Sequence, residues 1–292
     1  MIFYIGFVFY GDFIKISESF LKIRLELVLL ALCLETLSLF IRSLRQRKFL
    51  EYIGIKLSIL ENTKIYFASM SLIATPGGSG TVIKSHFIKK RHDHRISKTV
   101  PVVFVERLQD LLAIVTILSC TFLIFFETAS FVIVVISLVL ITFVYILFRR
   151  KNLLSKFQEK IKKINILQRI VPGPELNNSL EVLSRPKPIF IGWLISVISW
   201  IIDSLVVVVV FSSFDHDLNF IQVIQFYLTS ISYGAISLIP GGIGVTEVSF
   251  LGFLTLHGIE VSIASTIVII VRLSTIWFAT ILGLVTMKLV LK

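Results

Sequence analysis

A chain of 292 residues that is 55% hydrophobic, with a mean hydropathy of +0.91, carries more apolar surface than a water-soluble core of this length needs. Its net charge of +11 does not point to nucleic acid, because the basic residues flank apolar runs instead of forming a stripe of their own. The two cysteines, Cys33 and Cys120, both fall inside apolar runs and define neither a disulfide framework nor a metal site.

In chain order, Ile2 to Tyr10 lacks a basic lead and a small-residue cleavage site, so it does not read as a signal peptide. At nine residues it is too short to span and reads as the tail of a first helix that begins upstream. A linker over 12–24 leads to a span from Leu25 to Leu44, closed by Arg42, Arg45, Arg47 and Lys48 as a cytoplasmic stop. Residues 63–75 are apolar but too short to cross; Pro76-Gly77-Gly78 interrupts them, and a second short segment runs to Ile88. Basic residues stand on both sides of this pair, which predicts a hairpin entering and leaving on the cytoplasmic side. Val100 to Phe126 is a long span with Pro101 expected in its first turn. Ala129 to Phe148 returns, twenty residues without a charge and about as long as the ~30 Å hydrocarbon core is thick. The basic linker 149–188 places Leu153, Phe157, Ile161 and Ile164 at helical spacing, as in a helix lying on a membrane surface, and Pro172, Pro174, Pro186 and Pro188 punctuate the rest. Ile189 to Ser212 crosses outward. Residues 220–239 and 245–256 form a second hairpin around Pro240-Gly241-Gly242-Ile243-Gly244, and Val261 to Met287 is the last span.

The expected fold is therefore all-α, a polytopic membrane helix bundle forming one domain over 1–292, with a first half of about 1–148 and a second half of 189–292. Twenty-four of the 29 Lys and Arg lie in 42–64, 84–98, 149–188 and 288–292, which predicts that these segments face the cytoplasm of a multi-pass cell-membrane protein. The halves share a pattern. Thr75-Pro76-Gly77-Gly78-Ser79-Gly80 precedes Arg107 by 31 residues counted from Pro76, and Pro240 precedes Arg272 by 32. Each arginine lies inside the next span and is followed by leucine. With one hairpin expected from each face, this reads as an inverted repeat of broken helices, a design that places binding sites near the midplane.

Glu35, Glu106, Arg107, Asp110, Asp203, Glu247 and Arg272 fall within or at the edge of apolar runs. A charge at a helix centre costs roughly 2.5–3.5 kcal/mol, so these residues are expected to face protein or a wet cavity. Arg107 and Asp110 are expected to pair within one helix, and Arg272 to find Glu247 or Asp203. Buried pairing alone would make them a static network. In the functional reading Arg107 and Arg272 bind a phosphate, Asp110 and Glu247 hold or release them, and Glu106 belongs to the same substrate site. Backbone donors at the hairpin tips Pro76, Gly77, Gly78, Gly80, Pro240, Gly241, Gly242 and Gly244 would help. His86, His92 and His94 read as solvated rather than metal-binding, and Trp193, Trp200 and Trp277 as interfacial or packing residues.

Three blocks, Thr75 to Gly80, Glu106-Arg107-Leu108-Gln109-Asp110 and Pro240 to Glu247, together with Arg272, resemble the lysylphosphatidylglycerol synthase transmembrane region family, the flippase-like domain of the multiple peptide resistance factors. The resemblance implies two re-entrant hairpins and movement of lipids between leaflets, with anionic lipids as partners and room for a homo-oligomer or a lipid-modifying enzyme as partner. It departs at Ser79-Gly80-Thr81, where the family often carries an acidic residue. The soluble aminoacyl-transfer domain of some members has no counterpart here, so no enzyme activity, cofactor or nucleic-acid partner is expected. The alternatives are a non-transporting scaffold or regulator of a lipid-modifying enzyme and, more remotely, an intramembrane serine protease using Ser79 and His257. The expected topology places those two residues at opposite faces.

Overall fold

The computed structural model describes residues 24–149, 174–214 and 218–291. The expected N-terminal partial helix, most of the linker 12–24, the surface helix built on Leu153 to Ile164 and the tip at Asp215 to Asp217 lie outside the described residues. The architecture is all-α, with no strand among the described residues. Helix α1 (Leu25–Tyr52) is followed by α2 (Ile59–Ser69), 3₁₀ turns at Met70–Leu72 and Pro76–Val82, and α3 (Ile83–His92). Helices α4 (Ile96–Phe122), α5 (Thr128–Arg149), α6 (Pro174–Leu183) and α7 (Pro186–Phe211) come next. The second hairpin is α8 (Phe220–Ile236), a 3₁₀ turn at Pro240–Gly242 and α9 (Val245–Leu256). A last helix, α10 (Val261–Arg272), continues through a π turn at Leu273–Trp277 into α11 (Phe278–Leu291).

Local chemistry explains the boundaries. Helix α1 has neither Gly nor Pro within it and stops where Gly54 takes φ +78°, a conformation open to glycine at little cost. It runs eight residues past the predicted end at Leu44, so Arg42 and Arg45 are helix-interior residues and not a stop at the surface. The Ser58 side chain caps α2 by accepting from the Glu61 N–H. Thr75 is extended, as the residue before a proline must be, and α2 cannot continue through Pro76. Pro101 lies six residues into α4, beyond the first turn where it was expected, because the helix already starts at Ile96. Pro186 opens α7 at its first position, where the missing N–H costs nothing.

Among the described residues three helices, Leu25–Tyr52, Pro186–Phe211 and the continuous Val261–Leu291, are long and apolar enough to cross a membrane. The outward faces are apolar as well: Val135, Val139, Leu140 and Phe143 on α5 are all exposed. Patches of that size belong in lipid rather than water. The most extensive packing among the described residues is between α1 and α7; α4 packs on α7, and α11 packs on α2 and the turn that follows it. One apolar core lies among α7, α8, α9 and α10. A second lies at the C-terminal end of α1 with α2, α3 and the start of α4.

Contacts between their limbs close both hairpins. Glu61 near the start of α2 stands 3.6 Å from Arg91 and 2.9 Å from His92 at the end of α3, so the first hairpin leaves where it enters. In the second, the Phe226 ring of α8 stacks 5.2 Å from Phe253 and 4.5 Å from His257 at the end of α9. Helix α4 starts four residues after the end of α3, and beyond its far end the Phe125 carbonyl accepts from Gln225 of α8. Its 27 residues make about 40 Å of helix.

Candidate functional site: a charged cavity at the hairpin tips

The tips converge. A Cβ built on Gly241 would lie 3.5 Å from the Ala74 Cβ, so the two irregular turns pack against each other. Gly78, Gly241 and Gly242 all have φ near +65°, which side-chain-bearing residues rarely adopt. Gly234 lets the limbs of the second hairpin cross: an added Cβ there would meet the Thr246 hydroxyl at 2.1 Å and Gly242 Cα at 3.2 Å. Gly283 on α11 sits against Ser71 in the same way, seating the last helix on the first hairpin.

Beside the tips lies a cavity of about 360 Å³ walled by α1, α4, α7, α8, both hairpins and the stretch from Arg272 to Ala279. Ala235 and Ile239 in its wall are exposed, so it opens to the surface there. Charged residues project into it from four helices: Glu35 and Arg42 from α1, Arg107 and Asp110 from α4, Asp203 from α7 and Arg272 from α10. A bilayer centre tolerates such groups only where they face protein or water, and irregular backbone only where it is likewise shielded. Both conditions are met at this place.

The charges are not equivalent. Arg272 is a staple: its Nε donates to Glu247 Oε1 at 2.8 Å and an Nη donates to the Gly241 carbonyl at 2.6 Å. The other Glu247 oxygen accepts from the Gly244 N–H at 2.7 Å, so one carboxylate ties the start of α9 to the last span. Arg42 donates to Asp203, and its guanidinium lies 4.6 Å from the centre of the Trp200 ring. Arg45, wholly buried behind the cavity, donates to Asp110 at 2.6 Å and to the Ser196 hydroxyl. Arg107 has the loosest attachment. Its Nη2 stands 3.5 Å from Asp110, its Nε has no partner, and its side chain is 30% exposed. It also borders the first tip, since a Cβ on Gly78 would meet its Nη1 at 3.4 Å.

Of the residues proposed from sequence, Arg107, Asp110, Arg272, Gly78, Gly241 and Gly242 line the cavity. Glu247 lies behind Arg272, and Arg272 chooses it over Asp203. Glu106 does not line the cavity: it is buried on another side of α4 against Lys84. Four of the expected donors at the tips are in use: Gly78 N–H on the Thr75 carbonyl, Gly80 N–H on the Thr75 hydroxyl, Gly242 N–H on the Ile239 carbonyl and Gly244 N–H on Glu247. Trp200 forms part of the cavity wall, and Trp193 donates to Thr116 at 3.1 Å. Ser79 is exposed at the first tip, whereas the His257 Nδ1 lies 2.8 Å from the Phe253 carbonyl oxygen.

Three charged residues were missed. Arg42, Arg45 and Lys84 sit in segments read as cytoplasmic charge, yet Arg45 and Lys84 are 0% and 1% exposed and Arg42 is nearly so along its side chain. A signal was available for the arginines. Glu35, Ser38, Arg42 and Arg45 recur at intervals of three, four and three, which puts four polar groups on one face of an apolar helix. With those three removed, the positive-inside pattern rests on the other basic residues, such as Arg47 and Lys48, which are 30% and 51% exposed.

Apolar helices around a buried charged cavity at two broken hairpins define a polytopic membrane helix bundle. The chain belongs to the family described as the lysylphosphatidylglycerol synthase TM region, which matches residues 1–283. It is similar to a UPF0104 membrane protein of Pyrococcus horikoshii, at 28% identity over 293 aligned residues covering 90% of this chain and 87% of that one. A UPF0104 membrane protein of Methanocaldococcus jannaschii is 26% identical over 226 residues, 74% of this chain and 92% of the relative. One from Methanothermobacter thermautotrophicus is 32% identical over 91 residues, 31% of this chain and 27% of its own length.

Proposed function

We propose that the chain carries the phosphate-bearing head group of an anionic lipid across the bilayer through this cavity, while the acyl tails stay in hydrocarbon. One observation carries the reading: Arg107 faces the cavity beside a hairpin tip, 30% exposed and 3.5 Å from its carboxylate, whereas the guanidiniums of Arg42, Arg45 and Arg272 are each committed to a carboxylate at shorter range. A planar guanidinium with free donors suits a phosphate, which it can grip through two parallel hydrogen bonds. The cavity volume of about 360 Å³ falls in the range of about 300–1,000 Å³ common for small-ligand sites. In this reading the basic loops face the cytoplasm, the hairpins dip in from opposite leaflets, and Arg272 with Glu247 holds the second tip in place. The chain acts as a carrier and not as an enzyme; nothing in the translocation requires a covalent bond to break. The test is reconstitution into phosphatidylcholine vesicles with a trace of fluorescent phosphatidylglycerol, scored by how much label becomes accessible to an external quencher. Wild type should equilibrate the label between leaflets, and Arg107→Ala should slow this at least tenfold. Equal rates in wild type, Arg107→Ala and empty vesicles would reject the proposal.

A further inference from the structure

One carboxyl in the cavity has no cation of its own. Glu35 of α1 is 5% exposed, lines the cavity, and its Oε2 has no hydrogen-bond partner. Asp203 of α7 lines the same cavity, equally buried, with one oxygen taken by Arg42 and the other unmatched. The charged and titratable groups acting on the two are Arg42 on α1, Asp110 on α4 and Tyr227 on α8. Glu35 and Asp203 both line the cavity and the Arg42 guanidinium is committed to Asp203, so a charge on Glu35 would be buried without a partner.

The charges around the cavity make the consequence specific. Arg42 pairs with Asp203, Arg45 with Asp110 and Arg272 with Glu247, which leaves Arg107 and Glu35 over. If Glu35 is ionised as well, the four guanidiniums are balanced by four carboxylates, and a phosphate would enter as an uncompensated buried charge. Burying such a charge is expensive unless it is paired. A proton on Glu35 leaves Arg107 as a surplus of one positive charge, which a phosphodiester monoanion neutralises.

We propose that Glu35, beside Asp203, is a proton-binding site, and that its proton is taken up together with one monoanionic phosphodiester held at Arg107. The proton comes from water onto a Glu35 carboxylate oxygen and returns to water when the head group leaves; no bond other than O–H forms or breaks. Loaded and empty cavities then carry the same net charge. The headgroup half of the inference rests on the function proposed above, whereas the proton half stands on Glu35 and Asp203 alone.

Two measurements on the purified full chain in detergent separate the halves. Binding of short-chain phosphatidylglycerol to wild type should weaken by about tenfold per pH unit above the titration of the pair, the slope for one linked proton. Glu35→Gln, a permanent mimic of the protonated form, should bind with the acid-limit affinity at every pH. Identical pH profiles for wild type and Glu35→Gln would overturn the coupling. In the infrared spectrum, wild type should show the carbonyl stretch of a buried protonated carboxyl that Glu35→Gln lacks. Asp203→Asn should lose it too, since Glu35 then ionises against Arg42. The same band in all three proteins, or one that responds to Na⁺ in place of pH, would overturn the proton site. A Glu35-dependent band without any preference for phosphatidylglycerol over phosphatidylcholine would uphold the proton site and reject the carrier function.

Discussion

Lys84 and Glu106 form an ion pair between α3 and α4 away from the cavity, with side chains 2% and 0% exposed. Lys84 Nζ also lies 5.2 Å from the Tyr66 ring, while Glu106 Oε1 has no partner. Burial this complete makes the two single losses severe, because each strands a charge: Lys84→Met and Glu106→Leu should each cost about 3–5 kcal/mol. The double substitution replaces a desolvated pair with apolar volume, a change that is often neutral or stabilising. For a chain of this size about 1 kcal/mol corresponds to roughly 2–4 °C in Tm. Each single variant should therefore unfold roughly 6–20 °C earlier in mild detergent, followed by tryptophan fluorescence with size exclusion as a check on aggregation. The double variant should return to within a few degrees of wild type. Losses that simply add in the double variant would show that the two side chains do not act as a pair, and the account of α3 held to α4 by buried charge would fail.

The other expectations contrast positions. Arg107→Ala should lower stability by less than about 1 kcal/mol, as for other partly exposed pairs, while abolishing preferential binding of phosphatidylglycerol in a detergent binding assay. Arg272→Ala should be the reverse in emphasis, costing about 3–5 kcal/mol because it removes the buried cation from Glu247 and the tie to the Gly241 carbonyl; its thermal midpoint should fall well below that of Arg107→Ala. Gly283→Ala should destabilise by at least about 1–3 kcal/mol, since the new methyl would sit 2.1 Å from the Ser71 backbone nitrogen. Gly252→Ala, where nothing lies within 4 Å inside α9, should be neutral or stabilise by about 0.5–1 kcal/mol, and the pair of melting curves tests the close packing directly.

The breaks in the hairpins were legible because Pro76, Pro240 and the glycines after them act on their own backbone, whatever surrounds them. Three of the spans, in α1, in α7 and from Val261 onward, were legible for a similar reason, since length and apolarity are local sums. Arg107 and Arg272 stood out as charges deep inside apolar runs. Arg42 and Arg45 did not, because they close an apolar run just where a cytoplasmic stop would stand. What buries them is α7, which brings Asp203 and Ser196 from about 150 residues away in sequence. Glu106 and Asp110 illustrate the same limit at short range. They stand four residues apart on α4, yet one meets Lys84 of α3 and the other Arg45 of α1.

By itself, then, the sequence determined an all-α membrane bundle, its two broken hairpins and the supply of buried charge. Proline geometry, hydrophobic length and the cost of desolvation act on each segment wherever it ends up. Only the tertiary structure decided which carboxylate holds which guanidinium, that the tips touch, and that Arg107 and Glu35 are left over. An ion pair is a relation between helices, and which helices become neighbours depends on the packing of all of them together.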